Sequence, residues 1–170
     1  MVLNKSMLQL VQRGLFMKLN EYNKKRDFRK TAEPEDSNVN DVVSDIFVVQ
    51  KHYASHLHYD FRLALDGVLK SWAVPKGPSL NPADKRLAVM TEDHPLEYAN
   101  FEGVIPEGEY GAGKVEIWDR GTWKPVSDLA AWIEHRKLEF ILNGKKLKGV
   151  WVLIGLKDDP KNWLLIKKKD

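Results

Sequence analysis

The sequence contains no cysteine, which excludes disulfides, thiolate metal sites and a cysteine nucleophile. It also lacks any apolar run approaching the roughly 18 residues of a membrane span, and no charged-then-apolar signal peptide opens it. Internal repeats and low-complexity tracts are absent as well. A reducing compartment suits such a chain, so we interpret it as cytoplasmic.

The sequence also has little excess of one charge over the other, because the net charge of the 170 residues is only +3. That value alone does not identify a nucleic-acid binder. The distribution is less even, since residues 1–30 carry eight lysines or arginines and two acids, whereas residues 31–47 carry five acids and no base. The basic run at 24–26 is consistent with a solvated surface or with a phosphate-facing role. A content of 43% hydrophobic residues argues against disorder and for one folded domain.

Hydrophobic periodicity divides the chain into two regions. An amphipathic helix is predicted over residues 3–19, followed by a polar, exposed connection to about residue 45. Beyond it the pattern changes to short β-type runs separated by turn residues. We therefore expect residues 1–45 to form a helix and a polar arm, and residues 46–170 to form the main β domain.

The β region predicts a mainly β fold, a compact antiparallel β barrel of about eight strands with short flanking helices. Tight type I′ turns are predicted at Asp66-Gly67 and at Asn143-Gly144. Ser127 is expected to cap a short helix that runs to about Lys137. The predicted strands are Phe47–His52, Leu57–Leu65, Val68–Val74, Arg86–Glu92, Lys114–Trp118, Leu138–Leu142, Gly149–Ile154 and Trp163–Lys167.

Polar side chains alternate along the second predicted strand. His58, Asp60 and Arg62 share one face, because successive side chains of a strand point to opposite sides. The other face is apolar, carries Leu57, Tyr59, Phe61 and Leu63, and is expected to join the core. The Asp66-Gly67 turn sets Phe61 opposite Trp72 and Tyr59 opposite Val74.

The preceding strand adds two polar residues on one face, Gln50 and His52. Two imidazoles and a carboxylate form a set of ligands suited to Mn²⁺, Fe²⁺ or Zn²⁺. A single histidine on a strand is more often structural than a metal ligand. Three candidate ligands on same-facing positions, followed by Arg62, favour a site.

A further polar group lies downstream, where Arg86, Glu92 and His94 are placed to share a face. His94 is consistent with a fourth metal ligand, a proton donor or a loop residue bonded to Glu92. Lys76 begins a Gly-Pro turn at a strand end. Together with Arg62, the cations Lys76 and Arg86 beside a divalent metal would form an anion pocket, for which phosphate is the natural ligand.

Several strings of this sequence resemble one family closely. They are QKHYASHLHYDFRLALDG, SWAVPKGPS, TEDHPLEYANFEG, IPEGEYGAG, WDRGTW and the closing NWLLIKKKD. Together with Arg26-Asp27-Phe28, they resemble the 3′-phosphoesterase domain of bacterial and archaeal DNA ligase D, including its free-standing versions. The resemblance covers roughly residues 22–170.

The resemblance implies a metal site, a phosphate pocket and a contact to the terminal ribose. It places a Mn²⁺-type metal, with Zn²⁺ or Co²⁺ as alternatives, on His52, His58 and Asp60. Arg62 and His94 are implied to face the phosphate, and His94 is a candidate for protonating the leaving oxygen. The remaining implied pocket residues are Gln50, Lys76, Arg86, Glu92 and Tyr98. The residues implied in removal of a terminal ribonucleoside are Arg26, Asp27 and Glu33.

The implied function is metal-dependent processing of DNA 3′ ends in repair by non-homologous end joining. The substrates would be primer–template 3′ ends carrying a terminal ribonucleotide or phosphate, and the product would be a ligatable 3′-OH. A separate DNA ligase and repair polymerase are the expected partners of a monomeric, nucleoid-associated enzyme. This chain departs from the common family pattern at Tyr53, His56 and Ala64.

Two other functions would use parts of the same residue pattern. A non-haem iron oxygenase would also use a His-x-Asp pair with a distal histidine, but it leaves Arg62, Lys76 and Arg86 unexplained. A non-catalytic nucleic-acid-binding barrel would keep the His/Asp cluster only as structure. The complete set of candidate ligands argues against that second alternative.

Overall fold

A computed structural model of the chain describes residues 18–35, 44–126 and 128–170. These residues form two short α-helices, a 3₁₀ helix and nine strands. The elements in chain order are α1 (Asn20–Lys24), β1 (Ile46–Tyr53), β2 (Leu57–Leu65), β3 (Val68–Val74), β4 (Arg86–Met90), the 3₁₀ helix (Leu96–Asn100), β5 (Gly103–Ile105), β6 (Gly113–Pro125), α2 (Leu129–His135), β7 (Lys137–Gly144), β8 (Lys148–Gly155) and β9 (Asn162–Lys167). The helix predicted over 3–19 lies almost entirely outside the described residues, as does Ser127. Within the described parts, no helix has the length and apolar character needed to span a membrane.

The strands close into an antiparallel barrel. They are ordered β1-β2-β3-β4-β9-β8-β7-β6, and β1 pairs with β6 to complete the ring. The predicted barrel of about eight strands is therefore confirmed. Strand β6 reaches three neighbours because it is 13 residues long: β5 pairs with its first part, β7 with its last part, and β1 along most of its length. The register of the β1–β6 pairing shifts at a β-bulge between Val49 and Gln50.

The first predicted turn is confirmed. Asp66 and Gly67 both have positive φ, 55° and 78°, as a type I′ turn requires. The resulting β2–β3 register pairs Phe61 with Trp72, as expected from the sequence. This register fixes which side chains of β2 face the core.

The second predicted turn is wrong, because Asn143 and Gly144 still pair with β6. The chain instead reverses over Lys145–Leu147, and the Gly144 N–H donates to the Leu147 carbonyl at 2.8 Å. The buried Asp119 carboxylate stabilises this wider loop by accepting from the backbone N–H groups of Lys145, Lys146 and Leu147. A long-range carboxylate, rather than the local dipeptide, selects the turn.

Some predicted boundaries also change. The strand expected over Arg86–Glu92 ends at Met90, and the strand expected over Lys114–Trp118 extends over the whole of β6. Strand β5 was not predicted, since three residues are too few to show a pattern. The Asp128 carboxylate caps α2 by accepting from the Ala130 N–H at 3.0 Å.

The barrel interior is filled from all eight strands of the ring. This barrel core contains Phe47, Val49, Phe61, Leu63, Trp72, Val74, Ala88, Trp123, Leu138, Phe140, Leu142, Leu147, Trp151, Leu153, Trp163 and Leu165. Phe61 and Leu63 bury the predicted apolar face of β2, but Leu57 at the strand end is 46% exposed. The polar face of β2 therefore lies on the outside of the barrel.

A second cluster covers that outer face. This outer core contains Leu19, Tyr22, Val48, Ala64, Val68, Leu69, Tyr98, Ala99, Phe101, Ile105 and Val115. Leu19 and Tyr22, which belong to the N-terminal segment (residues 18–35), are fully buried in this outer core. The exposed connection expected from about residue 24 is observed only in part: the side chains of Arg26 and Glu33 are buried, whereas Lys24, Lys25, Arg29, Lys30, Ala32 and Glu35 are exposed. Barrel wall, 3₁₀ helix and N-terminal segment thus enclose the polar residues of β1 and β2.

Candidate active site

Three candidate metal ligands meet at one end of the β1–β2 hairpin. The register places His52 of β1 directly opposite His58 of β2, and their ring centroids are 4.7 Å apart. Asp60 Oδ2 lies 3.4 Å from His52 Nδ1 and 3.4 Å from His58 Nε2. One potential ligand atom from each residue lies within 4.8 Å of the others. The antiparallel pairing alone therefore assembles the group.

Backbone carbonyls fix the protonation of both imidazoles. His52 Nε2 lies 2.6 Å from the Gly111 carbonyl, and His58 Nδ1 lies 3.0 Å from the His56 carbonyl. Because a carbonyl only accepts, each of these nitrogens must carry the hydrogen. The other nitrogen of each ring, His52 Nδ1 and His58 Nε2, is then free to bind a metal and faces Asp60. Histidine ligands of metals are oriented in this way, so the residues present fit a divalent ion.

Asp60 is a carboxylate in this environment. Burial opposes its ionisation, but the Arg62 guanidinium and the adjacent imidazoles of His52 and His58 hold the pKa of its carboxyl well below the ordinary value. Burial alone would lower the pKa of the His58 imidazole, yet the adjacent Asp60 raises it above the usual 6.5. The cluster thus offers one negative charge to a cation.

Arg62 extends the cluster towards the pocket. Its Nε donates to Gln50 Oε1 at 2.8 Å, and its Nη2 lies 3.5 Å from Asp60 Oδ2. Gln50 is held in turn by donating to the carbonyls of Tyr98 and Phe101 at 2.7 and 3.1 Å. Arg62 Nη1 is buried and has no hydrogen-bond partner among the described residues. A buried guanidinium nitrogen without a partner is suited to an anionic ligand.

His94 lies on the opposite wall, outside the three-ligand group. Its Nδ1 donates to the Glu92 carbonyl at 2.9 Å, and its Nε2 lies 3.4 Å from Arg26 Nη2. Burial and the nearby charges of Arg62 and Arg26 lower the pKa of the His94 imidazole well below 6.5. His94 is therefore neutral at pH 7 in the free protein. The sequence left three roles open for His94. The structure does not support the role of a fourth metal ligand, because the group of possible ligands among the described residues comprises His52, His58 and Asp60.

The N-terminal segment contributes a buried ion pair. Arg26 Nε donates to Glu33 Oε2 at 2.8 Å, and Arg26 Nη1 lies 3.3 Å from Glu92 Oε1. Glu33 Oε2 also accepts from the Tyr98 hydroxyl at 2.7 Å. Burial, outweighing the nearby arginines, raises the pKa of Tyr98 well above 10.0, so this hydroxyl keeps its proton. Glu33 thus sits behind Arg26 and orients it.

These groups surround a cavity of about 280 Å³. Of the sequence-predicted residues, its lining includes Arg26, His52, His58, Asp60, Arg62, Glu92, His94 and Tyr98. Gln50 and Glu33 lie directly behind the lining. The structure does not bring three others there: Lys76 is exposed, Asp27 is bonded to Arg29, and Arg86 lies 3.6 Å from Asp84. The roles implied for those three stay predictions.

Three further residues at the cavity were not singled out from the sequence. Thr91 lines it and has a buried hydroxyl oxygen without a partner among the described residues. Tyr110 stands at its mouth beside Lys25, whose Nζ is 4.8 Å from the tyrosine ring centroid. Gly111 supplies the carbonyl that orients His52. Thr91 precedes Glu92 in the TEDHP string, so adjacency was the only available signal for it.

Comparison with known proteins shows which sequences this chain is similar to. Residues 50–155 match the family described as the DNA Ligase D 3′-phosphoesterase domain. The chain is 56% identical over 156 residues to the multifunctional non-homologous end joining protein LigD of Pseudomonas aeruginosa, covering 89% of the chain and 19% of the relative. It is 44% identical over 160 residues to the LigD protein of Mycolicibacterium smegmatis, covering 90% of the chain and 21% of the relative. The chain spans about a fifth of the length of these curated relatives.

Proposed function

The chain belongs to the DNA ligase D 3′-phosphoesterase domain family, and from that premise we propose that it is a metal-dependent hydrolase of DNA 3′ ends. We propose two reactions, removal of a 3′-terminal ribonucleoside and removal of a 3′-phosphate. One observation carries this proposal. The His52, His58 and Asp60 group and the unpaired Nη1 of Arg62 line the same cavity.

His52 Nδ1, His58 Nε2 and Asp60 would hold the metal. A bound divalent ion would supply Lewis-acid stabilisation of charge on the phosphate oxygens, and Mn²⁺ is the ion we propose. The carboxylate of Asp60 contributes the charge that favours a cation there. Zn²⁺ and Co²⁺ are compatible with the same nitrogen and oxygen donors.

The protein's own side chains bind the phosphate. Arg62 is held by Gln50 at one nitrogen and so presents its free Nη1 without losing further rotational freedom. Arg26 lines the same cavity from the N-terminal segment, and we propose that it faces the terminal ribonucleoside rather than the phosphate. A pre-oriented cation such as Arg62 stabilises charge that develops during hydrolysis. His94, neutral when the pocket is empty, would act as an acid only after a bound phosphate dianion raised its pKa.

Both reactions balance with water alone. In the first, water adds to phosphorus, the bond to the terminal ribonucleoside oxygen breaks, and that oxygen takes up the proton. The product is a 3′-phosphate. In the second, water adds to phosphorus, the bond from phosphorus to the DNA 3′-oxygen breaks, and that oxygen takes up the proton. Inorganic phosphate is released, and the DNA then ends in a 3′-OH. Because a ligase or polymerase uses such an end, we propose these two as partners in non-homologous end joining.

The proposal is tested on a 5′-labelled primer–template that ends in one ribonucleotide. We expect shortening to a 3′-phosphate and then to a 3′-OH with Mn²⁺, and no reaction with chelator. His52→Ala and Asp60→Ala should each abolish both steps, whereas His135→Ala, which alters an exposed histidine of α2, should react normally. Full activity in chelator, or in Asp60→Ala, would contradict the proposal.

A further inference from the structure

Lysines and aromatic rings alternate along one rim of the barrel, on the far side of the β1–β2 hairpin from the metal ligands. We call this the lysine–aromatic strip, and its members are Lys114, Tyr53, Lys51, Tyr59, Trp118 and Lys146. None of them was assigned a role in the pocket. Tyr53 is 39% exposed, so part of its ring is accessible at this rim.

Contacts link these side chains into one continuous row. Lys51 Nζ lies 5.1 Å from the Tyr53 ring centroid and 5.8 Å from that of Tyr59. The Tyr59 and Trp118 rings meet edge to face at 5.5 Å. Lys114 and Lys146 close the two ends, 5.9 Å from Tyr53 and 4.4 Å from Trp118, respectively. The inner rings rest on the barrel core, so the row has a rigid base.

The strip begins one residue from the candidate metal site. Tyr53 follows His52 in β1, and its side chain points to the opposite side of the strand. Tyr53 pairs with Leu57 just as His52 pairs with His58, so both pairs stand at the turn end of the same hairpin. When the 3′ end of a primer–template entered the cavity, its unpaired strand would have to pass only this turn to reach Tyr53.

Charge along the strip favours a polyanion. Its three lysines outnumber the two acids beside it. Glu116 accepts from Tyr53 and pairs with Lys114, and Glu116 and Glu102 together raise the pKa of the Lys114 ammonium. Lys76 lies nearby, because the adjacent Gly77 packs so closely on the Tyr59 ring that a Cβ there would come within 3.0 Å of it. Exposed Lys76, which is absent from the cavity lining, therefore adds positive charge beside the strip.

We propose that the lysine–aromatic strip binds a single-stranded segment of the DNA substrate next to the reacting 3′ end. Bases stack on Tyr53 and on Trp118, and the lysines contact the phosphates between them. Sequence-independent single-strand sites combine aromatic platforms and cations in this way. Unpaired bases are required, because paired bases in a duplex do not expose their faces. The inference rests on the proposed function only for the identity of the polyanion.

Direct binding tests the strip without any turnover. The probe is a fluorescein-labelled oligo(dT), measured by anisotropy with the full chain in chelator. Tyr53→Ala should weaken binding about tenfold, the usual effect of losing one stacking platform. Lys146→Ala should weaken it less and reduce the salt dependence by about one released counterion. Lys157→Ala is the matched control. Lys157 is an exposed lysine just after the end of β8, whereas Lys146 lies just before the start of that strand.

The outcomes separate this inference from the proposed function. The binding assay contains chelator, so it reports on the strip without metal or turnover. A chain that binds oligo(dT) through Tyr53 and Lys146 but cleaves no primer would contradict the proposed function and leave the strip supported. Unchanged affinity in both Tyr53→Ala and Lys146→Ala would overturn the strip even if the enzyme is active. Binding of a blunt duplex as tightly as oligo(dT) would overturn the single-strand assignment. Thermal unfolding of each variant confirms that the compared proteins are folded.

Discussion

At the scale of single residues, the pocket depends on groups that hold reactive side chains in one orientation. Gln50 fixes Arg62 from behind and is itself held by two carbonyls at the 3₁₀ helix. Glu33 does the same for Arg26, and the Gly111 carbonyl does so for His52. Each reactive group is thus oriented before a ligand arrives, which reduces the entropy lost on binding.

Arg62→Lys tests this orientation. Lysine keeps the charge, but its donors all radiate from one nitrogen, so it cannot hold Gln50 with one nitrogen and present a second, separately placed nitrogen to phosphate. We expect kcat/KM for 3′-phosphate removal to fall about 100-fold or more, the usual effect of losing one oriented donor. Arg29→Lys, at a highly exposed arginine, is the control and should react normally. Turnover near that of the unaltered chain in Arg62→Lys would contradict a forked contact to phosphate.

At the scale of elements, local patterns predicted well where the local sequence decides the structure. Alternation along β2 and the Asp66-Gly67 turn were sufficient to give the β2–β3 register and the shared face of His58, Asp60 and Arg62. The β7–β8 turn was mispredicted because Asp119, distant in sequence, bonds the loop. No local pattern carries such a contact.

The N-terminal segment shows the same limit. Its composition is polar, yet the side chains of Arg26 and Glu33 are buried, because they satisfy each other while Tyr22 fills the outer core. Sequence patterns score charged residues as exposed and do not see the pairing that allows burial. Only the family resemblance indicated that this segment reaches the site.

The segment predicts a split between the two reactions. Arg26→Ala and Glu33→Ala should lose removal of the terminal ribonucleoside while largely keeping removal of 3′-phosphate, because a 3′-phosphate end lacks the nucleoside that the segment would contact. Both rates are measured on matched primers. Asp27 bonds Arg29 outside the cavity, so Asp27→Ala tests whether the segment acts only through the residues that line the cavity. A loss equal to that of Arg26→Ala would show that Asp27 is also needed for removal of the terminal ribonucleoside.

Equal loss of both reactions would contradict the split and would mean that the segment supports the metal site or the fold. Removing one partner of a buried ion pair typically costs about 3–5 kcal/mol of stability. Circular dichroism and urea unfolding of Arg26→Ala and Glu33→Ala therefore accompany the rates. Only folded variants are compared.

At the scale of the whole molecule, stability and chemistry lie in different layers. The barrel core holds the strands together, whereas the outer core encloses the charged site between the barrel wall and the N-terminal segment. Titratable groups enclosed in this way make the stability of the whole chain depend on pH. His94 is the clearest case, because burial and two arginines oppose its protonation.

The sign of that dependence follows from proton uptake. The folded-state pKa of His94 lies below 6.5, so below about pH 6.5 the unfolded chain binds a proton there that the folded chain does not. His94 therefore destabilises the folded chain as the pH falls. Asp60, whose pKa is also lowered, adds the same effect as the pH falls through its ordinary value of 3.8. His58 acts in the opposite direction, because its raised pKa favours the folded chain below 6.5 and that contribution is lost as the pH rises.

His94→Gln isolates the His94 contribution, because glutamine is neutral at every pH and the other groups remain. In chelator-treated protein, we expect the unaltered chain to lose stability relative to His94→Gln as the pH is lowered from about 8 to about 5. Urea unfolding at several pH values measures both free energies under the linear extrapolation. The difference should be flat above pH 6.5 and should change steadily below it, since the unfolded histidine titrates there. A constant difference across the range would mean that His94 titrates alike in both states, and its environment would then be less enclosed than the contacts with Arg26, Tyr22 and Tyr98 indicate.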